Sequence, residues 1–155
     1  MSDRKADADL GAIMADILQA QAFMFSEPGL IEDCEMPEEG AVEVAIGFSG
    51  PASGTLELLC GLDFSRELAA NSLGAEPEDI EDDDEAIDAV KELLNVVCGR
   101  FLTEKYGDGA VFHLEIPRAR PSAAGAWEGM RGRSGTACLE AEFHNVLASV
   151  DLEEE

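Results

Sequence analysis

Four polar or small residues recur at helical spacing in the second half of the chain: Asp88, Glu92, Asn95 and Gly99. Steps of four, three and four residues place them in one row along a single helix face, with Glu92 and Asn95 as direct neighbours. A carboxylate can pair with a cation or take up a proton, whereas an amide donates and accepts hydrogen bonds without titrating. Because Asn and Gly are poor helix formers, the row indicates a surface that meets another molecule. The alternative is an ordinary solvated helix face.

The helix that carries this row is predicted over residues 84–106. Its other side is apolar and is expected to be buried against a sheet; the residues are Ile87, Val90, Leu93, Val97 and Phe101. Residues 76–88 hold nine carboxylates in thirteen positions, and we predict an acidic linker over 76–83. The carboxylates nearest the helix start are favoured by the helix dipole.

A calcium-binding loop is the other interpretation of this acidic run. In an EF-hand register that starts at Asp79, Asp84 stands where the turn needs Gly and Val90 stands where it needs Glu. The sequence therefore does not support an EF-hand.

Periodicity predicts the elements around the long helix. Helical spacing indicates a first helix over 10–25, and alternation indicates an antiparallel hairpin of strands 41–48 and 54–60. Asp63 is expected to cap a second helix that ends at Gly74. Three further strands are expected at 112–116, 137–143 and 146–150. This order predicts an α+β fold with a largely antiparallel sheet packed against a few helices.

Length and charge exclude several classes of protein. A chain of 155 residues fits a single domain. Its net charge of −24 would repel a phosphate backbone, so we expect no nucleic-acid binding. No apolar run is long enough for membrane insertion, and the first residues lack the apolar core of a signal peptide, so we expect a cytoplasmic protein. Residues 1–9 and 153–155 are expected to be flexible.

The cysteines and the arginines suggest no second chemistry. The four cysteines, Cys34, Cys60, Cys98 and Cys138, form no CxxC pair and are predicted to be reduced core thiols.

Residues 118–135 hold four of the ten basic residues and are predicted to form an exposed loop or arm. The alternative for this segment is a local contact with an anion or a partner. We predict no metal site, with His113 and His144 as strand or loop residues.

The row resembles the signature of the CheC/CheX/FliY family of chemotaxis phosphatases, which is an Asp or Ser, then a Glu, then an Asn three residues later, and a downstream Pro. The matching residues are Asp88, Glu92, Asn95 and Pro117. The preceding hairpin with its turn at 50–54, the helix end at Gly74 and the Leu-Glu-Ile-Pro strand also follow the family's order. The resemblance therefore covers residues 1–155 as one CheC-like domain.

Within the predicted helices only one ExxN motif is present, Glu92 and Asn95, and this resembles single-domain CheX most. Glu67 and Asn71 lie four residues apart, which is the wrong spacing, and we interpret them as structural. The gap between Asn95 and Pro117 is about one residue shorter than the pattern, which affects the intervening loop more than the helix. The resemblance to CheX implies a homodimer.

The resemblance also implies a substrate, namely a CheY-like response regulator phosphorylated on an aspartate. Asn95 would then orient the attacking water, and Glu92 would dock to a lysine of the receiver. A general-base role for Glu92 is less favoured, because the helix face is expected to be solvated. Asp88 and Gly99 are expected to contact the partner, with Gly99 allowing close approach. The receiver would supply Mg²⁺, so no cofactor of the chain's own is expected.

Two other functions stay open. One is a non-catalytic CheX-like module that binds a receiver or a flagellar-switch protein. The weaker one is a dimerising scaffold whose acidic face binds a basic partner. The strong negative charge would slow encounter with an acidic receiver, unless that receiver has a basic rim or salt screens the repulsion.

Overall fold

The structure, a computed structural model, describes residues 9–133 and 135–153. The helices are α1 (Leu10–Ala22), α2 (Leu62–Leu73), α3 (Asp83–Tyr106) and α4 (Ala126–Arg131). The strands are β1 (Ser26–Pro28), β2 (Ala41–Ser49), β3 (Ser53–Gly61), β4 (His113–Leu114), β5 (Arg118–Pro121), β6 (Ala137–Ala141) and β7 (His144–Glu153). Short 3₁₀ turns occupy Ile31–Asp33 and Pro77–Asp79. The expected flexibility of the termini falls mostly on residues 1–8 and 154–155, which lie outside the described residues.

The seven strands form one sheet in the order β1-β6-β7-β3-β2-β4, and β5 pairs with β2 beside β4. Every pairing in it is antiparallel. The predicted hairpin is β2 and β3, with Phe48 opposite Gly54 next to the turn. The prediction of an α+β fold with a largely antiparallel sheet is confirmed.

The helices cover both faces of the sheet. Successive strand residues point to opposite faces, and Leu58 packs in the larger core with α1, α2 and α3, whereas Leu59 packs in a smaller core with Trp127 of α4. Both leucines are almost fully buried. The long helix α3 therefore lies on the face opposite α4, with one side against β2 and the other free for solvent.

The start and the length of α3 follow from its sequence. Asp82 is the N-cap, and its side chain accepts a hydrogen bond of 3.0 Å from the Asp84 backbone N–H. The first turn is acidic, as its dipole favours. The predicted apolar side is buried at Val90, Leu93, Val97 and Phe101, while Ile87 is half-buried.

Two details of α1 and α2 differ from prediction. Helix α1 ends at Ala22 rather than near residue 25, because Phe23 takes the left-handed conformation (φ 54°) and closes the helix. The N-cap of α2 is Gly61, so the predicted cap at Asp63 is wrong; Asp63 lies in the first turn, 3.7 Å from Arg66. The predicted end at Gly74 is confirmed, with φ 71°.

The acidic segment is anchored as well as solvated. Within the predicted linker 76–83, Pro77–Asp79 form a 3₁₀ turn, and the side chain of Ile80 is buried against Ala69, Ala70 and Ala86. Asp83 at the start of α3 pairs with Arg66 at 2.6 Å. These contacts join the start of α3 to α2.

The prediction of an exposed loop or arm over 118–135 is wrong. Its first residues form β5, which pairs with β2, and its centre forms α4. Trp127 and Met130 stand three residues apart, so both can face the sheet. Trp127 is only 1% exposed and donates a hydrogen bond of 2.9 Å from Nε1 to the Cys34 carbonyl. Burial of these two side chains holds the segment on the sheet.

The prediction of four reduced thiols holds for two of them. Cys60 and Cys98 are free and buried. Cys34 and Cys138 instead form a disulfide across 104 residues of sequence, with their Cα atoms 6.6 Å apart. Sequence spacing gives no sign of a pair so far apart, and Cys34 lies in a loop that the fold brings to β6.

Candidate functional site

The four residues of the row lie on one face of α3. Asp88 and Glu92 are exposed, and Asn95 and Gly99 are half-buried. At 3.6 residues per turn the four Cα positions fall within about 60° of one another, and at 1.5 Å per residue Asp88 and Gly99 lie about 16 Å apart along the axis. The structure thus brings the four predicted site residues together, and their roles stay predictions.

The side chains of Glu92 and Asn95 are unpaired within the part of the chain that the structure describes. Among the described residues, neither side chain forms a hydrogen bond or an ion pair, whereas Asp88 lies 4.0 Å from the ammonium group of Lys91. A carboxylate and an amide on neighbouring turns, neither of them bonded to another described residue, can each bond to a group on another molecule. This arrangement fits a surface that acts on a partner.

Gly99 leaves space at one end of the row. A Cβ built there meets no other atom within 4 Å. A shallow cavity of about 210 Å³ adjoins it, lined also by Leu102 and Thr103 of α3 and by Ala110, Phe112 and Leu114 before and within β4. Because Gly99 has no side chain, the surface beside Asn95 is recessed, and the backbone of another molecule can approach it closely.

An apolar groove adjoins the other end of the row. It lies between α1, α2 and α3, has a volume of about 290 Å³, and includes Asp88 and Glu92 in its wall. The exposed side chain of Leu73 at the end of α2 also lines it. Sequence reasoning missed this groove because three helices build it; the only local signal is an apolar residue directly before the helix-ending glycine.

The nearest thiol cannot serve as a nucleophile. Cys98 follows Asn95 by three residues but points into the core, and burial raises the pKa of its thiol to about 12. At neutral pH it stays protonated and shielded, and the thiolate is the reactive form. Cysteine-phosphatase chemistry at this face is thereby excluded.

The remaining candidates lie on other elements. Pro117 stands between β4 and β5, at the edge of the sheet beside β2. Glu67 of α2 lies 2.9 Å from His144 Nε2 at the start of β7, a contact that fits the structural interpretation of Glu67. His113 is an exposed residue of β4. Over residues 9–133 and 135–153, no three His, Cys, Asp or Glu side chains are grouped to hold a metal ion.

None of the helices in the described part of the chain is both long enough and apolar enough to cross a membrane. Helix α3 is the longest described helix, and it is too polar to span a membrane because its first turn is acidic and its row contains Asp88 and Glu92.

The fold recurs in solved structures of chemotaxis proteins. The chain matches chemotaxis protein CheX from Vibrio vulnificus with a TM-score of 0.68 at 19% identity, over 99% of each chain. It matches a chemotaxis protein CheX from Desulfovibrio desulfuricans with a TM-score of 0.66 at 16% identity, over 99% of this chain and 100% of that one. At such identities the likeness shows the fold alone.

A third match was solved with a partner. It is the CheX-CheY-BeF₃-Mg²⁺ complex from Borrelia burgdorferi, similar to this chain with a TM-score of 0.61 at 17% identity, over 94% of this chain and 96% of that one. No curated protein matches the chain.

The family model described as chemotaxis phosphatase CheX matches residues 42–139. That span is more than half of the chain, and it runs from β2 through the row on α3 to β6. Because this family model covers more than half of the chain, this chain belongs to the CheX family of chemotaxis phosphatases.

Proposed function

We propose that this protein hydrolyses the aspartyl phosphate of a CheY-like response regulator. The observation that carries the proposal is the pair on α3: Glu92 and Asn95 stand on neighbouring turns of one exposed face, with no partner among the described residues. The Borrelia burgdorferi match supports the class of partner, since its complex contains CheY.

Asn95 would orient the attacking water. An aspartyl phosphate is an activated acyl phosphate, so catalysis needs a water held in line with the phosphorus more than it needs covalent help. The amide of Asn95 can accept a hydrogen bond from that water and donate one to a phosphoryl oxygen. The water oxygen bonds to phosphorus, the bond from phosphorus to the aspartyl oxygen breaks, and inorganic phosphate and the free carboxylate leave. Asn95 takes up no proton in this step.

Glu92 would hold the partner in place. Its exposed carboxylate lies one turn before Asn95 and can pair with a lysine of the receiver beside the phosphoryl group. Asp88 and Gly99 extend this contact along the helix, and the open space at Gly99 lets the receiver approach. The Mg²⁺ would come from the receiver and neutralise charge on the phosphoryl oxygens.

The test is the decay of a radiolabelled phospho-receiver from the same genome, with Mg²⁺ present. The wild-type protein should accelerate the decay. Asn95→Ala should lower the kcat of this reaction roughly 100-fold or more, which is the usual effect of removing one transition-state hydrogen bond. Asn71→Ala is the matched control, since Asn71 is also a half-buried helical amide but lies on α2. Equal acceleration by Asn95→Ala and the wild type would overturn the proposed role.

The proposal extends to the setting of the protein. We propose that it acts in the cytoplasm, and that it forms a homodimer, as the resemblance to CheX implies. If the protein binds receivers but leaves their decay unchanged, the non-catalytic module becomes the better account.

A further inference from the structure

We propose that the apolar groove between α1, α2 and α3 is a second docking site for the same response regulator. It would take an apolar side chain of the receiver that is flanked by lysine or arginine. This inference rests on the proposed function, because it assumes that the phosphoryl group is presented at Asn95.

The groove has an apolar interior and an apolar lip. Ile17 and Leu18 of α1, Leu68 and Ala69 of α2, and Leu93 of α3 line it. Leu73 is 63% exposed at its edge. The volume of about 290 Å³ is at the small end of ligand-binding pockets. Its size and lining suit one or two apolar side chains better than a large ligand.

Carboxylates line the α3 side of the groove. Glu85, Asp88 and Glu92 all contribute to its wall, and none of the described residues that line it is a lysine or an arginine. Only Asp88 of these three is close to a basic group among the described residues, at 4.0 Å from Lys91. An apolar side chain that enters the groove therefore passes a negative rim, and neighbouring cations on the partner would be attracted to it.

The position of the groove identifies the occupant. Asp88 and Glu92 belong both to the groove and to the row that contains Asn95. Glu85 is ten residues from Asn95, about 15 Å along the helix. A globular domain of 100 residues has a radius of gyration of about 13 Å. A receiver whose phosphoryl group sits at Asn95 is therefore wide enough to cover the groove.

The test uses Leu73→Lys, with Leu30→Lys as the matched control. Leu73 and Leu30 are 63% and 62% exposed, so neither change disturbs the core, and Leu30 lies away from the groove, before the 3₁₀ turn at Ile31–Asp33. A lysine at position 73 removes the apolar lip and places a positive charge where the partner's cation is expected. Circular dichroism and thermal unfolding verify that both variants fold.

The measured quantity is the Kd of a CheY-type receiver loaded with beryllofluoride and Mg²⁺, read by fluorescence anisotropy. Leu73→Lys should raise the Kd at least tenfold, and Leu30→Lys should change it less than twofold. Equal Kd values for the two variants would overturn the groove as a docking site, even if the wild-type protein accelerates phosphate loss.

A second variant tests the charged rim. Glu85→Lys should raise the same Kd and flatten its dependence on salt, because the rim would attract the partner's cations less. Glu81→Lys is the control, since Glu81 is exposed but outside the groove. An unchanged Kd and salt dependence for Glu85→Lys would contradict the proposal that lysine or arginine flanks the receiver's apolar side chain.

The outcomes separate this inference from the proposed function. If the receiver binds and Leu73→Lys weakens binding while decay is never accelerated, the docking site stands and the phosphatase proposal fails. If decay is accelerated but binding does not depend on Leu73, the phosphatase proposal stands and the docking site fails. If no receiver of the genome binds, both are overturned.

Discussion

Substitutions at Gly99 should show that the stability of α3 and its binding to a receiver depend on this position in different ways. Gly99 is in the interior of a 24-residue helix, and a Cβ built there contacts nothing within 4 Å. Alanine at a helix interior position is favoured over glycine by about 0.8–1.0 kcal/mol. Gly99→Ala should therefore raise the free energy of unfolding by about that amount, which corresponds to roughly 2–4 °C in Tm for a chain of this size.

Docking of a receiver should be sensitive to the size of the side chain at position 99. Gly99→Leu should still fold, because a Cβ at this position meets nothing within 4 Å and a cavity of about 210 Å³ adjoins it. It should nevertheless raise the KM for phospho-receiver at least tenfold. Gly129→Leu in α4 is the size-matched control, since the Cβ of Gly129 also meets nothing within 4 Å but α4 is on the other face of the sheet. Urea unfolding and single-turnover decay measure the two effects.

Either of two results would refute this reasoning. A Gly99→Ala variant less stable than the wild type would mean that the position is not open in the folded protein. An unchanged KM for Gly99→Leu would mean that the receiver does not approach this end of the row.

Three further predictions concern the rest of the molecule. Without reductant, iodoacetamide should label two cysteines after unfolding and none before, because Cys60 and Cys98 are buried with thiol pKa values near 12 and Cys34 and Cys138 are bonded; four labels would contradict the disulfide. Trp127→Ala should lower the free energy of unfolding by roughly 3–5 kcal/mol in urea titrations, the usual effect of emptying a buried aromatic site; a loss below 1 kcal/mol would contradict its anchoring role. Light scattering should give twice the 16.5 kDa of one chain, and a mass near one chain would exclude the homodimer.

The elements with strong periodicity were predictable from sequence. Helix α3 and the hairpin of β2 and β3 have apolar patterns with a clear local period, and the left-handed end of α2 requires a residue such as Gly74. These features depend on neighbours close in sequence, so the chain alone contains the signal.

The missed elements depend on contacts between distant segments. Strand β1 is the short run Ser26–Pro28, which looks like a helix breaker and forms a strand only because its backbone pairs with β6. Strand β5, Arg118–Pro121, has no apolar alternation and pairs with β2 at the edge of the sheet. The disulfide spans 104 residues, and the apolar groove needs three helices. No local period contains this information.

The placement of the candidate residues on one helix face was predictable, but their surroundings were not. The spacing of Glu92 and Asn95 is sufficient to place both on one face. The acidic wall and the exposed Leu73 beside them become visible only once α2 packs against α3.

The most direct test of the central claim separates binding from chemistry in the same assay. Phospho-receiver decay, followed over a range of concentrations of this protein, gives kcat and KM for the wild type, Asn95→Ala and Glu92→Ala. We predict that Asn95→Ala lowers kcat roughly 100-fold or more with KM little changed, and that Glu92→Ala chiefly raises KM. Parallel losses of kcat and affinity in Asn95→Ala would contradict the assignment of water orientation to Asn95 and docking to Glu92.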